Sequence, residues 1–116
     1  MNKIICLKLN SQFKKLYSKG KSAVRPTLVM YVRRNGLAVC RLGITAGKKL
    51  GCAVIRNRSK RRLRELFRQH SDMLRPGFDF VLVARGRTAS APFAKLKGDF
   101  LSAAAETEAL KNAKNS

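Results

Sequence analysis

The sequence has 116 residues, 45% of them hydrophobic, and carries 26 Lys and Arg against six Asp and Glu, for a formal net charge of +20 at pH 7. This length suits one domain with a modest core and excludes two, and no run approaches the roughly 20 apolar residues of a membrane span. Because self-repulsion among the cations opposes a compact monomer, the composition predicts a polyanionic partner. Nucleic acid is favoured over an acidic membrane, which would require a long helix with a continuous apolar face or a lipidation site.

The cysteines indicate which redox compartment the protein occupies and whether it could bind a metal ion. Cys6, Cys40 and Cys52 form no Cys-x-x-Cys pair, and the single histidine, His70, is not at metal-ligand spacing from any of them. This pattern predicts free thiols in a reducing compartment and no metal site. The apolar patch near the amino terminus is too short, and too closely followed by Lys8, for a signal peptide. We therefore expect a cytoplasmic protein.

The first half of the chain predicts a helix and then a hairpin. The helix is capped by Asn10 or Ser11, ends at Gly20 and is short enough to depend on docking. Its apolar residues recur on one face: Phe13, Leu16 and Tyr17. Residues 27–33 are rich in strand formers, and Asn35-Gly36 is a strong hairpin-turn signal before residues 37–45. The pattern therefore predicts that residues 27–33 and 37–45 pair as an antiparallel hairpin.

The second half predicts a long helix, a strand and a last helix. Within residues 53–70, six residues share one stripe: Ile55, Ser59, Leu63, Leu66, Phe67 and His70. The apolar run at residues 78–85 is typical of a central strand, and a last helix begins near Pro92. That helix has apolar residues at helical spacing: Phe93, Leu96, Phe100, Leu101 and Ala104. We expect residues 1–116 to form a single domain, ordered from about residue 8 to about residue 110, with flexible ends.

Basic residues are concentrated in the long helix and the loop before it. Between Lys48 and Arg68 there are nine Lys or Arg residues and one acid, Glu65. Like charges one turn apart destabilise an isolated helix by a few tenths of a kcal/mol per pair, so this density requires a polyanion. A solvated face would explain a few lysines, but not a run dominated by Arg, although single arginines can simply pair with Glu65 or Asp72. The candidate nucleic-acid-binding residues are Lys48, Lys49, Arg56, Asn57, Arg58, Lys60, Arg61, Arg62, Arg64 and Arg68.

Residues 51–65, Gly-Cys-Ala-Val-Ile-Arg-Asn-Arg-Ser-Lys-Arg-Arg-Leu-Arg-Glu, resemble the RNR signature of the bacterial ribonuclease P protein subunit. Residues 42–49 are similar to the strand and loop that lead into that helix, Ser11-Gln12-Phe13 with Tyr17 to the first helix, and residues 78–85 to the late strand. The resemblance covers roughly residues 9–101. Cys52 departs from it, because the family usually carries Asn there, which puts a hydrogen bond at the start of the helix in doubt.

The resemblance implies a fold and a role. The fold is a compact α/β (α+β) two-layer sandwich, a small mixed sheet with three helices and a left-handed βαβ crossover. The role is that of a subunit that binds the catalytic RNA and the 5′ leader of precursor tRNA, and so assists removal of the leader. The RNA performs the hydrolysis and holds most of the Mg²⁺ of the holoenzyme, while the protein alone holds no cofactor.

The resemblance also implies a cleft for the single-stranded leader. The matching residues are Phe13, Tyr17, Val29, Tyr31 and Thr45. Aromatic faces of this kind stack on unpaired bases for about 1–3 kcal/mol each, while flanking lysines follow the phosphates. The alternative for Phe13 is a place in the core, whereas the tyrosine hydroxyls favour a wet edge.

No segment supplies the machinery of a protein nuclease. His70 has no second histidine for acid–base work, and Asp72, Asp79 and Asp99 are isolated in sequence. The glycines at 47 and 51 lack the spacing of a phosphate-binding loop. We therefore expect no catalytic residue, no protein metal ligand and no small-molecule substrate.

Two other classes of protein share the composition. A structural ribosomal protein can be equally small and basic, but the Arg-Asn-Arg-x-Lys-Arg helix after a glycine-containing turn favours the tRNA-processing subunit. A DNA-binding regulator could place the same helix in a major groove, but the sequence has no helix-turn-helix partner and no dimer seam.

Overall fold

The computed structural model describes residues 4–7 and 10–110. In this part of the chain the helices are α1 (Asn10–Lys19), α2 (Ala53–His70) and α3 (Phe93–Glu106). The strands are β1 (Ile4–Cys6), β2 (Lys21–Val24), β3 (Leu28–Arg34), β4 (Cys40–Thr45) and β5 (Phe78–Ala84). Short 3-10 turns at Lys48–Leu50 and Ser71–Met73 flank α2. The predicted tail beyond Leu110 lies outside the described residues.

The strands form one mixed sheet in the order β1-β4-β5-β3-β2. β1, β4 and β5 are parallel to one another, whereas β3 is antiparallel to β5 and β2 is antiparallel to β3. β5 lies in the centre, as predicted, because every residue of it except Val83 is buried. The mixed α/β class with three helices is confirmed, and β4–α2–β5 is its βαβ crossover.

The predicted hairpin of residues 27–33 with 37–45 is wrong. β3 and β4 do not pair with each other, since β5 lies between them and pairs with both. The Asn35-Gly36 turn does form, with Gly36 at φ 72° and the Asn35 side chain accepting from the Leu37 N–H at 2.7 Å. It opens a connection that spans β5, however, and does not join neighbouring strands. Burying the apolar strand β5 on both faces outweighs the local turn signal.

Helices cover both faces of the sheet. α2 and α3 pack on the face that carries the larger core, where the Phe67 ring lies 5.2 Å from that of Phe80 and 6.0 Å from that of Phe100. α1 packs on the opposite face, where Leu16 contacts a smaller cluster around Val81. α1 therefore forms a third layer, in addition to the two layers that were predicted. Within the described residues, no helix is both long enough and apolar enough to cross a membrane.

The three predicted helices are confirmed, with small differences. α1 ends at Lys19, one residue before Gly20, where an added Cβ would lie 2.6 Å from the Leu16 carbonyl oxygen. On α2, Ile55 is 37% exposed, so the buried part of the predicted stripe begins at Ser59. β1 and β2 were not predicted from the sequence, although each completes an edge of the sheet.

A buried carboxylate joins α3 to the start of β3. Asp99 accepts hydrogen bonds from the Thr27 N–H at 3.1 Å and the Thr27 hydroxyl at 2.7 Å, and Lys95 Nζ lies 3.5 Å away. Burial raises the pKa of Asp99, but the Thr27 hydrogen bonds and the Lys95 charge outweigh it, so the net pKa is lower than usual. Thr27 in turn accepts from the hydroxyl of Thr88, which ties the loop after β5 to the same point.

We expect Asp99→Ala to lower the free energy of unfolding by about 1–3 kcal/mol at neutral pH, because it leaves buried donors of Thr27 unpaired. Since the folded-state pKa lies below the unfolded value of about 3.9, the contribution is complete above that pH and disappears as the pH falls through the folded-state pKa. Urea denaturation at pH 7 and pH 3 measures both effects. Lys95→Ala, which removes only the half-exposed ion pair, should cost under about 1 kcal/mol. An equal loss for both variants would contradict the assignment.

Candidate RNA interface

The outer side of α2 is a dense cationic surface. Its inner side is held against the sheet by five buried residues: Ser59, Leu63, Leu66, Phe67 and His70. Arg58, Arg61, Arg64 and Arg68 are exposed, as is Asn57, whereas Arg56, Lys60 and Arg62 are half-buried. The amphipathic pattern therefore directs the sequence-predicted cations away from the core and toward solvent.

Within the part of the chain that the structure describes, most of these cations form no ion pair with a carboxylate. The exception is Arg68, which donates to both carboxylate oxygens of Glu65 at 3.0 and 2.5 Å. The Arg68 and Gln69 hydrogen bonds lower the pKa of Glu65 to about 2. Arg68 is thus partly engaged within the helix, while Arg58, Arg61 and Arg64 take part in no ion pair between described residues.

Arg62 is directed inward. Its Nη1 donates to the Thr88 carbonyl oxygen at 2.8 Å, and its guanidinium lies 6.0 Å from the centre of the Phe93 ring. Burial and the charge of Arg58 lower the pKa of Arg62. This side chain fastens the loop after β5 to α2, a role that its place in a basic run did not indicate.

The turn before α2 adds two further cations. Lys48 and Lys49 lie in the 3-10 turn and are exposed. Gly51 then adopts a φ of 127°, a conformation that favours glycine, and the chain enters the helix. Cys52 occupies the N-cap in an extended conformation and makes no capping hydrogen bond through its side chain. The helix start therefore lacks the bond that Asn would make at this position.

Three of the predicted leader-cleft residues, Phe13, Tyr17 and Thr45, meet on the opposite face of the sheet, whereas Val29 and Tyr31 do not line the cavity there. Phe13, Lys14, Tyr17 and Thr45 line a cavity of about 350 Å³. The Tyr17 and Tyr31 rings meet edge to face with their centres 4.9 Å apart. Val29 lies on the same face of β3 as Tyr31 and is half-buried. The structure thus brings an aromatic surface, a hydroxyl and a lysine together in one concave site.

Phe13 contributes to the core and to the cleft at once. It packs on the cluster of Leu16 and Val81, and it also lines the cavity. The ring can lie this close to β4 because residue 43 is glycine, where a Cβ would be 2.5 Å from the Phe13 Cζ. Sequence reasoning missed both Gly43 and Lys14, although a glycine inside a strand is a known sign of close approach.

His70 and Asp79 have structural contacts within the fold. His70 is buried, with Nδ1 2.8 Å from the Leu66 carbonyl oxygen and its ring 5.9 Å from that of Phe100. Asp79 is held by Arg41 through two hydrogen bonds of 2.7 Å. Among the described residues, no three of His, Cys, Asp and Glu gather as metal ligands would. This cationic and aromatic interface is suited to binding.

Comparison with known proteins agrees with this geometry. The family model described as Ribonuclease P matches residues 1–108. The ribonuclease P protein component of Caldanaerobacter subterraneus subsp. tengcongensis is 47% identical over 95 residues, 82% of each chain. The RNase P protein structure from Staphylococcus aureus has a TM-score of 0.80 and 29% identity, covering 94% of this chain and all of that one. The RNase P protein from Thermotoga maritima gives a TM-score of 0.74 and 32% identity, covering 83% of this chain and 91% of that one.

The chain belongs to the ribonuclease P protein family. It is therefore the protein component of an endoribonuclease that functions in tRNA 5′ processing, and its partner is ribonuclease P RNA. The resemblance noted in residues 51–65 is confirmed by these comparisons. The match also covers the segment of β1, which had not been predicted as a strand.

In this ribonuclease P protein the two candidate surfaces meet at one edge of the sheet. Thr45 lines the cleft and is the last residue of β4, and the Lys48–Lys49 turn and α2 follow it directly. Because β4 and β5 are parallel, the loop after β5 emerges at the same edge, with Arg85 and Arg87 exposed. These two arginines lie beside the predicted interface but were not among its predicted residues.

Proposed function

We propose that α2 and the Lys48–Lys49 turn bind the catalytic RNA of ribonuclease P, and that the aromatic cleft binds the 5′ leader of precursor tRNA. The predicted RNA-binding residues keep these roles in the proposal, except that Arg62 acts on the loop after β5. The protein positions the leader and neutralises phosphates, while the RNA carries out the hydrolysis and holds most of the Mg²⁺. A cytoplasmic location, with no membrane partner and no small-molecule substrate, is part of the same proposal.

The observation that carries this proposal is the shared edge of the two surfaces. A strand whose bases stack on Phe13 and Tyr17 emerges beside Thr45, next to the cations that open α2. Aromatic stacking with flanking cations is the usual way in which proteins hold single-stranded RNA. Exposed arginines on a rigid helix suit the phosphates of a folded RNA, since each guanidinium can donate two parallel hydrogen bonds.

The cleft is tested with substrates that differ only in the leader. We expect Phe13→Ala combined with Tyr31→Ala to weaken binding of leader-bearing precursor tRNA to the holoenzyme by about 30-fold or more, because two stacking surfaces of about 1–3 kcal/mol each are lost. Affinity for leaderless tRNA should not change. Equilibrium binding of both substrates to holoenzyme assembled with each variant gives the two values.

Two further variants distinguish a loss of leader binding from a loss of folding. Tyr17→Ala removes a ring that is 44% exposed, so it should weaken leader binding with little effect on the core. Leu37→Ala removes an exposed apolar side chain that does not line the cavity, and should bind both substrates as the unmodified protein does. If the cleft variants lose affinity equally for leader-bearing and leaderless tRNA, the assignment of the cleft is wrong.

A further inference from the structure

A second concave cationic site lies at the opposite end of β3 from Val29. A cavity of about 230 Å³ opens where α1 and β3 end and where β2 and β5 begin. Counting described residues alone, five cations line it: Lys19, Lys21, Arg33, Arg34 and Arg75. We call this site the basic basin. None of its cations was among the residues predicted to bind RNA.

The basin has far more positive than negative charge. Glu108 is the one carboxylate in its lining, and Lys21 neutralises it at 2.7 Å. The ion pairs that join described residues to one another include none of the other four basin cations: Lys19, Arg33, Arg34 and Arg75. A concave site with this imbalance attracts and concentrates anions.

The arginines of the basin are placed to donate to phosphate. Arg34 lies 5.7 Å from the centre of the Phe78 ring, which leaves the edge of its guanidinium free for hydrogen bonds. The backbone N–H of Arg75 donates to the Ala109 carbonyl oxygen at 2.7 Å, and that of Asn35 donates to Gly77 at 2.9 Å. The segments that carry the arginines are therefore fixed to the body of the fold.

The basin shares two elements with the cleft. Lys19 follows Tyr17 by two residues on α1, and Arg33 follows Tyr31 by two residues on the same face of β3. The Tyr17–Tyr31 contact at the cleft is therefore two residues away from a basin cation on both elements. α2, in contrast, packs on β4 and β5, away from the β2–β3 side where the basin opens.

We propose that the basic basin binds backbone phosphates of the precursor tRNA leader, beyond the nucleotides that the cleft holds. This inference rests on the proposed function, because the cleft must first take the leader. The leader then has two contacts: bases stack on the aromatic rings, and more distant phosphates bind to Arg33, Arg34 and Arg75. Long leaders gain affinity from the basin, whereas leaders that end within the cleft do not.

The experiment compares leaders of about 5 and about 15 nucleotides, which span the usual range of single-strand site sizes. Holoenzyme containing the Arg34→Gln, Arg75→Gln protein should bind the long-leader substrate about tenfold more weakly and the short-leader substrate unchanged. The slope of log affinity against log salt should fall by roughly 1.4 for the long leader, because two single-strand phosphate contacts are lost. Lys19→Gln should act in the same direction with a smaller effect.

Arg58→Gln, Arg61→Gln is the matched control, since it removes the same charge from α2. It should weaken assembly with the catalytic RNA and leave the long-leader advantage intact. The basin variant should fold normally, because removing unpaired like charges relieves repulsion, and thermal denaturation checks this. If the basin variant keeps the full long-leader advantage, or if it loses affinity for the catalytic RNA alone, the proposal is overturned. If the proposed function itself is wrong, the result is a different one: the unmodified holoenzyme binds leader-bearing and leaderless tRNA equally.

Discussion

We expect replacement of Arg58, Arg61 and Arg64 by Gln to lower the affinity of the protein for ribonuclease P RNA by about a thousandfold at moderate salt. The three side chains are exposed on α2, and no described carboxylate forms an ion pair with them. A hydrogen bond to a charged group contributes about 1.5–3 kcal/mol, so three of them account for this loss. The slope of log affinity against log salt should fall by about 2.7, since each phosphate contact on a duplex contributes about 0.9.

A charge-matched variant separates a specific surface from the general effect of net charge. Lys15→Gln, Lys95→Gln, Lys97→Gln removes three exposed cations from α1 and α3. It should weaken binding less than tenfold. Gel-shift titrations across a range of salt concentrations give affinity and slope for both variants. Equal losses would show that the RNA responds to total charge and that α2 has no special place in the complex.

We expect Phe67→Ala to lower the free energy of unfolding by about 3–5 kcal/mol, the usual cost of removing a large aromatic ring from a core. Phe67 is completely buried on α2 and meets the rings of Phe80 and Phe100. Domains of this size have only about 5–15 kcal/mol of stability, and the charge of this chain works against the compact state. Urea denaturation of the free protein is the measurement. Val54→Ala on the same helix, where Val54 is 72% exposed, should change stability by less than about 0.5 kcal/mol.

RNA should partly rescue the Phe67→Ala protein. A ligand that binds only the folded state adds stability in proportion to the logarithm of its concentration over its dissociation constant. The variant should therefore assemble into holoenzyme at high RNA concentration, with a thermal midpoint that rises as RNA is added. A variant that is as stable as the original protein without RNA would show that the three rings do not form the centre of the core.

The sequence predicted the elements whose signals are local. α2 and α3 show helical spacing of apolar residues, and β5 is a continuous apolar run, so each could be located without knowledge of its neighbours. Strand pairing is a property of the whole chain. β1 is three residues long and is defined by its pairing with β4, which short-range patterns cannot reveal. The Asn35-Gly36 turn led to the wrong hairpin prediction for the same reason, since only the complete sheet places β5 between β3 and β4.

The candidate interface, too, could be predicted from the sequence only in part. The charge of α2 was visible in the sequence because its residues are consecutive, while the cleft depended on the family resemblance. The structural role of Arg62 could not be distinguished from the RNA-binding role predicted for its neighbours, because it depends on the contact with Thr88. The basic basin was hidden, because its cations come from separate elements and no window of the sequence contains them all.

The position of β5 has a consequence for synthesis on the ribosome. β3 and β4 flank a strand that is translated more than thirty residues after β4 ends, at Phe78–Ala84. Until then both strands of the nascent polypeptide have an open edge where β5 will lie, and open edges of this kind invite aggregation. The sheet closes only once this late segment leaves the exit tunnel, so we infer that a chain stalled before it is a target for chaperones.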